Sequence, residues 1–68
     1  MNKGTESALT LAFMAKAASA AAQTLTRVAQ DVSATSRHDI AMVLAALAQA
    51  EQERAKILLE GSNTIINQ

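Results

Sequence analysis

The chain is 68 residues long and formally neutral, with six basic and six acidic side chains, and half of it is apolar. That length admits one small domain, the lack of cysteine excludes a disulfide framework or thiolate metal site, and the scattered charge leaves no basic stripe for nucleic acid. Sixteen residues are alanine and Phe13 is the only aromatic. At roughly 25 cal/mol per Å² buried, against about 1.5 kcal/mol of ordering entropy per residue, such a core comes out near balance, so self-association or a partner is the expected remedy.

There is no proline, and the only glycines are Gly4 and Gly61. Thr5 reads as the N-cap of a first helix over about 5–32, with Glu6 in its first turn to suit the dipole; residues 1–4 form a short arm. Leu11, Met14, Ala18, Ala21, Leu25, Val28 and Val32 recur at 3-4 spacing along this helix. Beside them runs a second row, Ala8, Ala15, Ala22 and Ala29, which suits close helix–helix approach, while Lys16, Gln23 and Gln30 mark the solvated back. Lys3, the run Ala8 to Ala15 and Ala18-Ser19-Ala20 have the outline of a signal peptide. Glu6 and Lys16 oppose that reading, and cleavage there would cut the ladder. Residues 8–26 are too interrupted by polar side chains to span a bilayer.

The segment Val32 to Ser36 lowers helix propensity without a hard breaker. A break here restores apolar residues to the seam, and Ser36 with Asp39 reads as a short-armed capping box. A second helix over about 36–60 then carries Ile40, Val43, Leu47, Ala50, Arg54 and Ile57. The two ladders mirror each other at a constant index sum, Val28 with Ile40 through Leu11 with Ile57, as an antiparallel hairpin requires. The expected fold is all-α, one two-helix hairpin domain with a coiled-coil-like seam of Leu11, Met14, Ala18, Ala21, Leu25, Val28, Ile40, Val43, Leu47, Ala50 and Ile57. Gly61 reads as a C′ glycine, followed by a tail over 61–68.

Further apolar residues lie beside the second ladder: Ala41, Leu44, Ala48, Ala55, Leu58 and Leu59. An exposed contiguous stripe of this kind points to an interface, and two hairpins forming a four-helix or larger bundle would cover it. Leu9 and Phe13, one turn apart, either meet Leu58, Leu59 or the Ile65-Ile66 pair, or form a docking spot. The candidate intermolecular face is therefore Leu9, Phe13, Leu44, Ala48, Leu58 and Leu59. Arg54 is expected to snorkel outward and pair with Glu51. His38 reads as a solvated turn residue with too few neighbouring ligands for a metal. No phosphate loop, nucleophile elbow, carboxylate dyad or Cys/His cluster is present, so the chain reads as a non-enzyme without catalytic, cofactor or metal residues.

Two family resemblances accompany this reading. Size, central turn, the Met1-x-Lys3 start and Ala8-Leu9 resemble the Rop family of RNA-binding hairpin dimers, with Phe13 matching the RNA-facing aromatic after a one-residue slip. The chain departs from that family where Leu9, Ala17 and Thr24 replace the polar and basic surround. An RNA-binding hairpin would use Lys3, Lys16 and Arg27 and bind in a salt-sensitive way. Val43-Leu44-Ala45-Ala46-Leu47-Ala48-Gln49-Ala50-Glu51, followed by Ile57-Leu58, is similar to the second helix of short co-chaperones that guard type III secretion needle subunits. That resemblance implies a heterodimeric chaperone in a bacterial cytoplasm. The expected function is protein–protein interaction, as a homo-oligomeric assembly subunit or as a chaperone or adaptor for a partner helix. The partner is expected to be a second copy or another helical protein, with a cytoplasmic setting or a secreted assembly as the compartments weighed.

Overall fold

Asn2, rather than Thr5, opens the first helix. In the computed structural model, which describes residues 2–68, the Asn2 side-chain oxygen accepts the Thr5 N–H at 2.7 Å and its carbonyl accepts the Glu6 N–H at 3.1 Å. The side chain thereby satisfies one orphan donor of the first turn, and the carbonyl accepts the first bond of the helix ladder. Helix α1 (Lys3–Ser33) and helix α2 (His38–Ile66) account for nearly the whole chain and pack antiparallel as an all-α helical hairpin. Its Cα atoms span 51 × 14 × 11 Å, the proportions of a two-helix rod.

The turn is built differently from a capping box. Ser36 is not the N-cap of α2; it takes a left-handed backbone conformation with φ 70°, the one non-glycine residue to do so among those described. The chain tightens into it through Thr35 N–H to the Val32 carbonyl at 3.0 Å and Ser36 N–H to the Ser33 carbonyl at 3.1 Å. The Thr35 hydroxyl also donates to the Val32 carbonyl at 2.7 Å. The N-cap is Arg37, whose side chain makes no capping bond but reaches both carboxylate oxygens of Asp39, at 3.3 and 3.2 Å. The Arg37 guanidinium, followed by the Ile40 backbone N–H, holds the Asp39 carboxyl below its usual range.

At the far end α2 runs straight through Gly61 and stops only at Ile66. Gly61 is not a C′ residue, since its φ is not positive. The continuation follows from packing: Ser62 and Ile65 extend the buried stripe of α2 by another two turns, and helix packing outweighs the modest propensity loss at one glycine. The expected tail over 61–68 is therefore mostly helix.

The seam is the main correction. The inward residues of α1 are Ala8, Leu11, Ala15, Ala18, Ala22, Leu25, Ala29 and Val32; those of α2 are Ala41, Leu44, Ala48, Glu51, Ala55, Leu58, Ser62 and Ile65. Both sets keep unbroken 3-4 spacing. Of the expected seam, only Leu11, Ala18 and Leu25 are central; Ala21 is half-buried at its edge. Met14, Val28, Ile40, Val43, Leu47, Ala50 and Ile57 are exposed. Relative to expectation, each helix is rotated towards its alanine row.

Three physical reasons favour the observed seam. It has eight positions on each helix, against six and five in the expected seam, because it runs from Ala8 to Val32 on α1 and on through Ser62 to Ile65 on α2. It interleaves large and small side chains: from the open end inward come Ile65, Leu11 and Leu58, then a waist of alanines, then Leu25, Leu44 and Val32. Large side chains from one helix thus meet small ones from the other, and the backbones approach closely. Finally, it exchanges the charged residue at the seam: Arg54 lies at the surface, while Glu51 takes a part-buried seam position with its side chain 27% exposed and paired to Arg54 at 3.6 Å. The closeness is visible at the open end. The Ser62 hydroxyl, 3% exposed, donates to the Ala8 carbonyl of the opposite helix at 2.7 Å. A Cβ added to Gly61 would meet the Leu11 side chain at 3.5 Å.

Candidate interaction surface

A helix with a central seam leaves two flanks, and in an antiparallel pair the flanks of both helices combine into two long faces. The first face carries Lys16, Ser19, Gln30 and Ser33 of α1 beside Met42, Gln49, Gln52 and Lys56 of α2. It is grooved. One groove of about 480 Å³ lies towards the turn, bordered by Gln30, Ser33, His38, Met42, Gln49 and Gln52. A second, of about 340 Å³, lies between Lys16, Ser19, Lys56 and Leu59.

The opposite face is apolar. From α1 it takes Met14, Ala17, Ala21, Thr24, Val28 and Asp31; from α2, Ile40, Val43, Leu47, Ala50, Arg54 and Ile57. The six large aliphatic residues among them are between 37% and 61% exposed. They follow the rod from the turn to beyond its middle. The only charges on the face are Asp31 and Arg54, and Arg54 turns aside to Glu51 at 3.6 Å, the pairing expected for it. The face is therefore a row of partly exposed large apolar side chains along one side of the rod.

The candidate intermolecular residues read from the sequence are not brought together. Leu44, Ala48 and Leu58 belong to the hairpin seam, where Ala48 is 3% exposed. Leu59 lies on the grooved face. Leu9 and Phe13 sit on the outer side of α1, around a shallow depression of about 200 Å³ with Ala12 and Lys16. Phe13 is 72% exposed and is not covered by Leu58, Leu59 or the Ile65-Ile66 pair. The apolar face was visible in the sequence as a ladder, but a ladder assigned to the wrong job. Ser62 and Ile65 were missed because Gly61 was read as a stop; the 3-4 series Ala55, Leu58, Ser62, Ile65 was the signal that it is not.

The titratable groups do not converge. His38, expected in the turn, is the first residue of α2, with its Nδ1 3.2 Å from the Ser33 hydroxyl oxygen. Among the described residues there is no group of three or more His, Asp or Glu side chains able to hold a metal ion. The cations are dispersed: Lys16 and Lys56 share a groove, Arg54 is on the apolar face and Arg37 is in the turn. Among the described residues no helix is long and apolar enough to cross a membrane. A comparison with known protein families, curated proteins and solved structures finds no match to this chain.

Proposed function

We propose that this hairpin is a non-enzymatic protein–protein interaction module that works through its apolar face. The observation that carries the reading is the exposure of Met14, Val28, Ile40, Val43, Leu47 and Ile57 on one side of a rod whose own seam buries mainly alanine. No large side chain in the hairpin is fully buried, so intramolecular burial supplies little of the stabilisation a folded domain of this length needs. An apolar side chain carried from full exposure to full burial contributes roughly 1.5–3 kcal/mol. The six residues are 37% to 61% exposed, so a partner that covers them adds part of that at each position.

The test is molar mass by light scattering across a tenfold dilution, with helicity recorded on the same samples, for the parent chain and Val43→Asp. Concentration-dependent association lost in the variant, or a poorly helical monomer that awaits a partner, supports the module. A fully helical, cooperatively melting monomer, unchanged by Val43→Asp, overturns it.

A further inference from the structure

We propose that the grooved face is a second docking site, for one amphipathic helix of another protein that carries carboxylates where it lies between Lys16 and Lys56. The site is separate from the apolar face and does not rest on it. Its two grooves follow one another along the rod. The groove of about 480 Å³ borders Gln30, Ser33, Gln49 and Gln52, and that of about 340 Å³ borders Lys16, Ser19 and Lys56. On α1 they reach from Ala12 to Ser33, about 30 Å of helix, which roughly 20 residues of a partner helix would cover.

Each groove offers one apolar anchor. Met42 borders the first and is 73% exposed; Leu59 borders the second and is 50% exposed. Neither belongs to the hairpin seam or to the apolar face. The groove walls also include alanines, Ala15 and Ala55 in one and Ala29, Ala41 and Ala48 in the other, so a third helix can come close to the first two. An apolar helix stripe laid into such a groove is a recurring mode of recognition. The concave shape favours a helix over a bilayer, whose flat surface would rest on the rims and leave the grooves unfilled.

Charge sets the chemistry of the partner. No carboxylate borders either groove. Lys16 and Lys56 come from different helices to the same groove, and among the described residues neither is in an ion pair. Glu53 and Glu60, about one turn from Lys56 along α2, do not pair with it. A partner carboxylate lying between the two ammonium groups therefore gains from both, and more so once the partner excludes water. The first groove is bordered instead by the uncharged amides of Gln30, Gln49 and Gln52. The acidic part of the partner thus lies towards the open end of the hairpin and its neutral part towards the turn.

The experiment uses the full chain and labelled synthetic helical peptides of about 20 residues. They share one leucine–alanine stripe and differ in their flanks, which are glutamate, glutamine or lysine. Fluorescence anisotropy is expected to show the glutamate peptide binding roughly tenfold tighter than the lysine peptide, by a margin that shrinks in high salt. Lys16→Gln and Lys56→Gln should each narrow the margin, and Lys16→Glu/Lys56→Glu should reverse it. Lys3→Glu/Arg27→Glu, which changes net charge equally outside both grooves, should leave the order in place, as should Val43→Asp on the apolar face. No binding by any peptide, or an order that survives Lys16→Glu/Lys56→Glu, overturns the site. So does a reversal of the same size in Lys3→Glu/Arg27→Glu. Loss of binding in Val43→Asp alone overturns this groove while supporting the apolar face as the docking surface. Lysine-dependent sedimentation with phosphatidylglycerol vesicles, without any preference among the peptides, makes an anionic lipid surface the occupant and overturns the helix.

Discussion

The hairpin has two long apolar surfaces: the inner one, where alanines alternate with leucines, closes on itself, and the outer one, which carries Met14, Val28, Ile40, Val43, Leu47 and Ile57, stays partly exposed. Ala8, Ala15, Ala18, Ala22, Ala29 and Ala48 form the interior; Ile40, Val43, Leu47 and Ile57 lie outside. The contrast shows that in a two-helix object burial follows close approach. Two helices touch along a line, and small residues on that line let the backbones and the interleaved leucines meet along their whole length. Bulky β-branched residues are better satisfied at a broad surface, where another pair of helices can cover them from several sides.

The sharpest way to break this comparison is to make the same substitution on both surfaces. Ala18→Leu forces a large side chain into the waist of the seam, where Ala18 is 3% exposed, and is expected to cost about 1–3 kcal/mol. Ala50→Leu, on the apolar face, is expected to change hairpin stability by less than about 0.5 kcal/mol. Urea unfolding followed by circular dichroism measures both; equal effects would show that the seam is misplaced.

A smaller effect is expected at the buried hydroxyl. Ser62→Ala keeps the small volume that close approach requires and removes the bond to the Ala8 carbonyl, which stays within the α1 ladder. Stability should fall by roughly 0.5–1.5 kcal/mol, the net worth of one neutral hydrogen bond. A loss of 3 kcal/mol or more would mean that Ser62 does something other than donate this bond.

Gly61→Ala should go the other way. The added Cβ would sit 3.5 Å from Leu11 Cδ1, an ordinary contact, and alanine is favoured over glycine inside a helix by up to about 1 kcal/mol. A rise in melting temperature of the full chain is therefore expected. A fall would place the helix end at Gly61 after all, and would remove Ser62 and Ile65 from the seam.

The smallest effect lies in the turn, away from both surfaces. Asp39 is held below its ordinary value of 3.8 chiefly by Arg37. A lowered carboxylate pKa stabilises the folded chain above the unfolded value, and that contribution disappears as pH falls through the folded one. Asp39 is fully exposed, so the effect is slight. Asp39→Asn should narrow the gap in melting temperature between pH 7 and pH 3 without altering the response to substitutions in the seam or on the face.

Much of the architecture was legible along the chain because helix periodicity is a local property. The absence of proline, the weak segment around Ser33 to Ser36 and the restarted spacing at Ile40 were enough for two antiparallel helices. Glu6 and Asp39 occupy first turns as the dipole argument requires. The helix ends were less legible: Asn2 outcompetes Thr5 as a cap, Ser36 adopts a conformation unusual for serine, and Gly61 is overridden by packing on either side of it. The candidate face was least legible, because each helix carries two interlaced 3-4 series and both pairs satisfy the antiparallel mirror relation.

What the sequence determined by itself is the all-helical hairpin and the presence of more apolar surface than one hairpin can bury. Which of the two series turns inward was decided only in three dimensions. That choice depends on how the side chains of one helix interleave with those of the other, on Arg54 escaping the interior and on Ser62 reaching the Ala8 carbonyl. Those are contacts between residues far apart in the chain, and no spacing within either helix contains them.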